Sequence, residues 1–405
     1  MHDSITNISL PFRGFSSEAI EWLHGPNRFT ELFDQMYSPQ MPDAKEQRQA
    51  LNRFYQPSAI NRLRPDQVER IREDSRNPDN VTACYLYGCW LAWNATHLEQ
   101  LDEVEYLVST AAQGGYGQMW LLLRYMWLHG LNIDTRIDNE RVAESQRRAI
   151  ESGDGTAYGL LTVKPLLYGW GVEADAEEAT RLVMERIDND GGEDETSDYL
   201  LTLLADCRLA TGNNAEAERC ARAAIGKGGL DASWSSLIWA TCYDGDDLKE
   251  GCKGMERELY NASAEAGCSL GLYECGLRDK EMAEGKSGLQ CKMHEHKARL
   301  ELEKAALLGN GDACFELAIM ANAGECGFTG ESLDESYPFF LRGAMAGNSN
   351  CAYWMYKLQD NALRGSKEER EFTLPDDADH SSPDTWRKLA ECLCRSNNQP
   401  WPEDN

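Results

Sequence analysis

The chain has 405 residues, of which 42% are hydrophobic and 27% charged, and its 40 basic and 68 acidic side chains leave a net charge of -28. Mean hydropathy is -0.57, and no run approaches the roughly 18–20 apolar residues of a membrane helix. So acidic a body repels phosphate backbones and anionic membranes, which disfavours nucleic acid and lipid surfaces and fits a protein partner, a basic one best.

Residues 1 to 13 lack a basic start followed by an apolar core, which suggests a cytoplasmic protein. The fourteen cysteines are scattered through helical segments and read as buried thiols.

In chain order, residues 1–76 follow no period but read as helical. Ser17 to His24 is stopped by Gly25-Pro26; Phe29, Leu32, Phe33 and Met36 share one face; Asp43 to Tyr55 and Asp66 to Asp74 follow. Such a region suits a cap over the first hydrophobic edge of a repeat array. Lys45 to Arg76 holds eight basic and five acidic residues, a locally positive segment that docks on the acidic body or on a partner.

From about residue 77 a glycine recurs after a pair of small or apolar residues. Clear copies are Ala111-Ala112 before Gly115 and Ala305-Ala306 before Gly309; looser ones precede Gly153, Gly228, Gly267 and Gly347, and a degenerate one precedes Gly191. The spacings of 38, 38, 37, 39, 42 and 38 residues are those of a helical-hairpin solenoid. The glycine predicts a left-handed helix end, the small pair a close helix contact, and Asp154, Asn310 and Asn348 a turn or cap for the next helix. The second helices are amphipathic, as at Ala179, Leu182, Val183 and Ile187, or Leu333, Tyr337, Phe340, Leu341 and Ala344. Pro165 should kink or shorten a first helix. Asp188 to Asp198 carries six acids and no base and reads as a solvated loop. Residues 359–383 are irregular, and Ser382-Pro383 begins a last helix with Trp386, Leu389 and Leu393 on one stripe.

The stretch Gly169-Trp170-Gly171-Val172-Glu173-Ala174-Asp175-Ala176-Glu177-Glu178-Ala179 resembles the G-x-G-V-x-x-D-x-x-x-A link of Sel-one-like repeats. The Ala-Ala-x-x-Gly ending, followed by Ala313, Phe315, Leu317 and Gly324, is similar to the rest of that consensus. The resemblance implies an all-α, right-handed α/α solenoid of about eight hairpins (77–358), between a helical N-terminal cap (1–76) and an irregular linker with a capping helix (359–405). It also implies a non-enzymatic scaffold whose first helices line a concave, partner-binding face. Within that class it implies a bacterial adaptor or a toxin-neutralising immunity protein, with a secreted effector holding a host protein as the alternative.

Aligned on the glycines, Ala313, Phe315, Leu317, Ala318 and Ala321 are packing positions. Trp90, Trp120, Tyr125, Trp239 and Trp354 fall outside them, with Arg124 and His129 on the same segment as Trp120. These are the candidate partner anchors. The alternative is that aromatics fill gaps between drifted repeats.

No phosphate loop, His-Glu-x-x-His or Gly-x-Ser-x-Gly motif is present. Cys291, His294 and His296 form the compact ligand-like cluster, but on a helix His296 diverges from the other two. No cofactor, metal or catalytic residue is therefore expected, and an enzyme or metalloprotein built on that cluster is the remaining alternative.

Overall fold

A computed structural model describes residues 12–38, 45–132, 134–152, 155–169, 172–227, 255–265, 268–330, 333–363, 374–375 and 378–402. Among them every regular element is a helix. The chain forms two compact units. Met1–Arg148 and Gly276–Asn405 together make the first, and Ala149–Cys275 the second. That division is by compactness; the division by repeat period, at 76/77 and 358/359, remains a proposal.

The first unit opens with α1 (Ser17–His24) and α2 (Arg28–Met36). Ser16 caps α1 by accepting from the Ala19 amide, and Asn27 caps α2 by accepting from Phe29 and Thr30. Then come α3 (Lys45–Leu51), a 3-10 turn (Asn52–Tyr55), α4 (Pro57–Ile60) and α5 (Pro65–Asp74). α5 packs on α6 (Val81–Asn94), and α6 packs on α7 (Gln100–Gln113). With neighbours on both sides, α6 is buried almost all round; Tyr85 and Leu86 are inaccessible. α8 (Met119–His129) packs on α7 and leads to α9 (Asn139–Glu151).

In the second unit the helix that contains Pro165 is broken, as expected. It consists of α10 (Gly155–Tyr158), a π-helical turn (Gly159–Val163) and α11 (Lys164–Tyr168), with Pro165 in the first turn of α11. α12 (Ala176–Asn189) packs on α13 (Asp198–Ala210), and α13 on α14 (Asn214–Gly226); α15 (Met255–Glu265) follows. Val183, Ile187, Leu201 and Leu204 form this unit's core. In the acidic loop after α12, Glu193 binds Arg219 at 2.7 Å.

α16 (Ser269–Glu284) leads into the return to the first unit. There α17 (Gly288–Leu307), α18 (Gly311–Ala323), α19 (Leu333–Met345), α20 (Ser349–Leu363) and α21 (Pro383–Ser396) pack each on the next. Ser382 caps α21 from Thr385, and Trp386, Leu389 and Leu393 are fully buried, as their stripe requires.

The periodic glycines end helices in one repeated way. Gly115, Gly191, Gly309 and Gly347 have φ of 104°, 101°, 89° and 87°. The next amide in each case reaches back five residues, Tyr116 to Ala111, Gly192 to Ile187, Asn310 to Ala305 and Asn348 to Gly343, at 2.9–3.0 Å. This is the Schellman arrangement, and its left-handed residue is best supplied by glycine. Gly153, Gly228, Gly267 and the expected turn residue Asp154 lie outside the described residues. Asn310 and Asn348 then cap the following helices, accepting from Ala313 at 2.9 Å and Cys351 at 2.8 Å. The small residue before the glycine is needed too: a Cβ on Gly343 would overlap the Cys351 sulfur and stand 3.0 Å from the Cys314 Cβ. Phe315, read as a packing position, is only half-buried.

The two chain segments of the first unit are joined by buried polar contacts that the repeat does not encode. Asn61 Nδ2 donates to the Leu307 carbonyl at 2.7 Å, and Asn94 Nδ2 donates to Asn61 Oδ1 at 2.8 Å. Arg342 donates to Asn94 Oδ1 at 3.1 Å, to the Ala306 carbonyl at 3.1 Å and to the Leu307 carbonyl at 3.3 Å. Nearby, the buried Asp379 accepts from the Leu98 amide at 2.7 Å and from the Trp386 indole at 3.3 Å. The N-terminal segment shares in this, since Ser16 binds Glu303 and α1 packs on α17.

Ala306 is wholly buried at one such contact. Ala306→Glu would bury an unpaired carboxylate, so it should cost about 3 kcal/mol or more and lower the melting temperature by more than about 5 °C. Lys388→Ala, on the exposed side of α21, should change it little. Equal melting temperatures for the two variants would contradict the helix register.

Candidate functional site

A cleft of about 590 Å³ opens in the first unit where α5, α6 and α7 meet. Because α6 packs on both neighbours, it forms the floor, with the end of α5 and the start of α7 as opposite walls. Arg72 and Arg76 stand on the α5 side, Tyr87 and Trp90 on α6, and Glu99, Glu103 and Tyr106 on the α7 side.

The local sequence explains how these side chains are held. Asn80 caps α6 by accepting from Ala83 at 3.1 Å. Gly88 lets α7 approach, since a Cβ there would lie 3.1 Å from that of Leu107. The rim loop before α7 is pinned by Gln100, whose Oε1 accepts from Thr96 at 2.7 Å and His97 at 3.0 Å. Asp379 fixes the same loop through Leu98.

The rings of Tyr87 and Trp90 stack at 6.0 Å with 12° between planes. Both are largely buried, at 7% and 4% exposure, whereas Tyr106 is 57% exposed. Burial pushes the Tyr87 hydroxyl up to about 12, with Glu103 adding to the shift and Arg72 opposing it. The Trp90 indole nitrogen is buried without an acceptor. Arg72 reaches Glu69 at 3.4 Å. Among the described residues Arg76, Glu99 and Glu103 have no ion-pair partner. The cleft therefore presents a cationic wall, an aromatic floor and an anionic wall, with charges left available.

The candidate anchors read from sequence do not converge on one site. Trp90 is in this cleft. Trp120, Arg124 and Tyr125 are on α8, and Trp354 is on α20. Tyr125 donates its hydroxyl to the Ala346 carbonyl at 3.1 Å, and Trp354 stacks on Phe340 at 5.7 Å, so both also serve packing. Trp120 and Arg124 are half-buried. Burial holds the Arg124 guanidinium below its ordinary range, and its Nε has no acceptor. Trp239 lies outside the described residues. The basic segment 45–76 was legible as a possible docking element and supplies Arg72 and Arg76; Tyr87, Glu99 and Glu103 were not singled out.

The cluster at Cys291 is spread over separate contacts. His294 Nδ1 bonds to the buried Asp279 at 2.8 Å and its Nε2 to Lys286 at 2.7 Å; His296 faces Glu18 at 3.3 Å; Cys291 donates to Glu295 at 3.4 Å. Among the described residues no group of three or more His, Cys, Asp or Glu is placed to hold a metal ion. No described helix is long and apolar enough to cross a membrane.

No family model matches the chain, and no curated protein matches it. Solved structures it is similar to include two Sel1-type repeat proteins. A Sel1 repeat protein from Oxalobacter formigenes is 21% identical, over 85% of this chain and 94% of that one, with a TM-score of 0.34. A protective antigen of uropathogenic Escherichia coli displaying an SLR fold is 19% identical, over 90% of this chain and 72% of that one, also with a TM-score of 0.34.

His129, on α8, offers a test of the packing around Arg124. Its Nδ1 bonds to Ser396 Oγ at 2.7 Å. Burial, then the charge of Arg124, lowers its pKa to about 4. An unfolded histidine takes up a proton near pH ~6.5. The unfolded state thus binds more protons between those values, and stability present above pH ~6.5 is lost as pH falls toward 4. His129→Gln should flatten this dependence when urea midpoints are compared at pH 7.5 and 5. An unchanged pH profile would contradict the burial of this histidine.

Proposed function

We propose that the chain is a non-enzymatic, protein-binding scaffold. The observation that carries this reading is the cleft between α5 and α7, where aromatic rings lie between opposed, available charges. Aromatic and arginine side chains set in a concave site are the usual anchors of protein recognition. The stack of helices supplies a rigid frame for them.

The finer reading is a bacterial adaptor or immunity protein, acting in the cytoplasm on one partner. The net charge of -28 supports a partner with a basic surface, such as a basic toxin. The exposed acids of α12 and the following loop, including Glu177, Glu185, Asp188 and Asp194, extend the acidic surface in the second unit.

Affinity purification of the full chain from the cells that produce it, with mass spectrometry, identifies the partner. Re-binding of the purified partner then tests the reading. The expected result is a stoichiometric complex whose association slows steeply as salt rises while dissociation changes less. Failure of every co-purified protein to re-bind would contradict the scaffold reading, and salt-insensitive binding of an acidic partner would contradict its electrostatic part.

A further inference from the structure

We infer that the α5–α7 cleft takes an extended, mixed-charge peptide segment of the partner protein: an acidic side chain against Arg72 and Arg76, an apolar one over Tyr87 and Trp90, and a basic one toward Glu99 and Glu103. The inference rests on the scaffold reading above and names what that scaffold recognises.

Size admits such a segment. The volume of about 590 Å³ falls in the range of roughly 300–1,000 Å³ of the clefts and cavities that hold small ligands, room for a few side chains of a segment. Charge then selects it. A wholly anionic ligand, such as a nucleic acid strand, would meet Glu99 and Glu103, and a wholly basic peptide would meet Arg72 and Arg76. Only a ligand bearing both signs, in the right order, satisfies both walls. Arg76, Glu99 and Glu103 are unpaired within the described protein, so a bound segment need not first break an internal ion pair at these groups.

The site is also held in shape before binding. Gln100 and Asp379 fix the rim loop, and Asn94, at the end of the floor helix, is tied to Asn61 and Arg342. Ordering a ligand in a fixed cleft wastes less of the binding free energy than ordering both partners.

The test is selection of a random phage-displayed short-peptide library on the immobilised full-length chain, followed by affinity measurement with a synthesised winner. Enriched peptides should combine an acidic, an apolar and a basic residue. Arg76→Glu and Glu103→Lys, both at exposed positions, should each weaken the winner at least about tenfold with melting temperature unchanged. Replacing the winner's acidic residue by lysine should restore binding to Arg76→Glu, a reversal that a merely structural role for Arg76 would not produce. No enrichment, or winners that bind both variants as well as the unmodified chain, would overturn the inference. If the partner found by affinity purification still binds in that case, the scaffold reading stands and only the cleft assignment fails.

Discussion

The first unit depends on one buried cation. Arg342 is 6% exposed, and burial holds its pKa below the ordinary arginine range. Its guanidinium meets the Ala306 and Leu307 carbonyls at the end of α17, the negative end of that helix, and the side chain of Asn94. The rings of Phe12 and Phe15 lie 6.0 and 5.6 Å from it. A planar five-donor group suits this task, because it can serve two carbonyls and an amide at once. The same Leu307 carbonyl accepts from Asn61, and Asn61 accepts from Asn94. Removing one member would leave others buried without partners, so the network acts as a unit.

That network reaches the candidate site through the backbone. Asn94 is the last residue of α6, the floor of the cleft, and Trp90 is one turn earlier, with its carbonyl accepting from Asn94 Nδ2 at 2.8 Å. Asp379 secures the cleft's rim loop from the C-terminal segment. Segments far apart in sequence thus hold both the floor and the rim, and the cleft inherits its shape from the closure of the first unit.

Much of the fold was legible because it is written locally. A glycine after a small pair announces a helix end, and Gly309 and Gly347 adopt the left-handed geometry. Asn310, Asn348 and Ser382 are caps whose bonds span three residues. Arg342, Asn61 and Asn94 gave no such signal. Each is polar and falls at no periodic position, so its burial is decided by a partner distant in the chain. Asp379 was hidden in an irregular stretch for the same reason. The site was half legible. Trp90 and the basic segment 45–76 stood out separately, but only the packing of α5 against α6 brings them together. The other aromatics were harder to place. Helices flanked on both sides bury positions that a single-hairpin alignment leaves free, and Tyr125 meets Ala346 across more than two hundred residues of chain.

The central claim is that Asn94 and Arg342 hold the two segments of the first unit together directly. A double-mutant cycle of Asn94→Ala and Arg342→Met, followed by equilibrium urea unfolding, measures it. The account predicts a coupling energy between about 1 and 3 kcal/mol, as for side chains sharing one buried network. Additive effects, agreeing within about 0.5 kcal/mol, would mean that the two residues act independently and would contradict the closure on which the cleft depends.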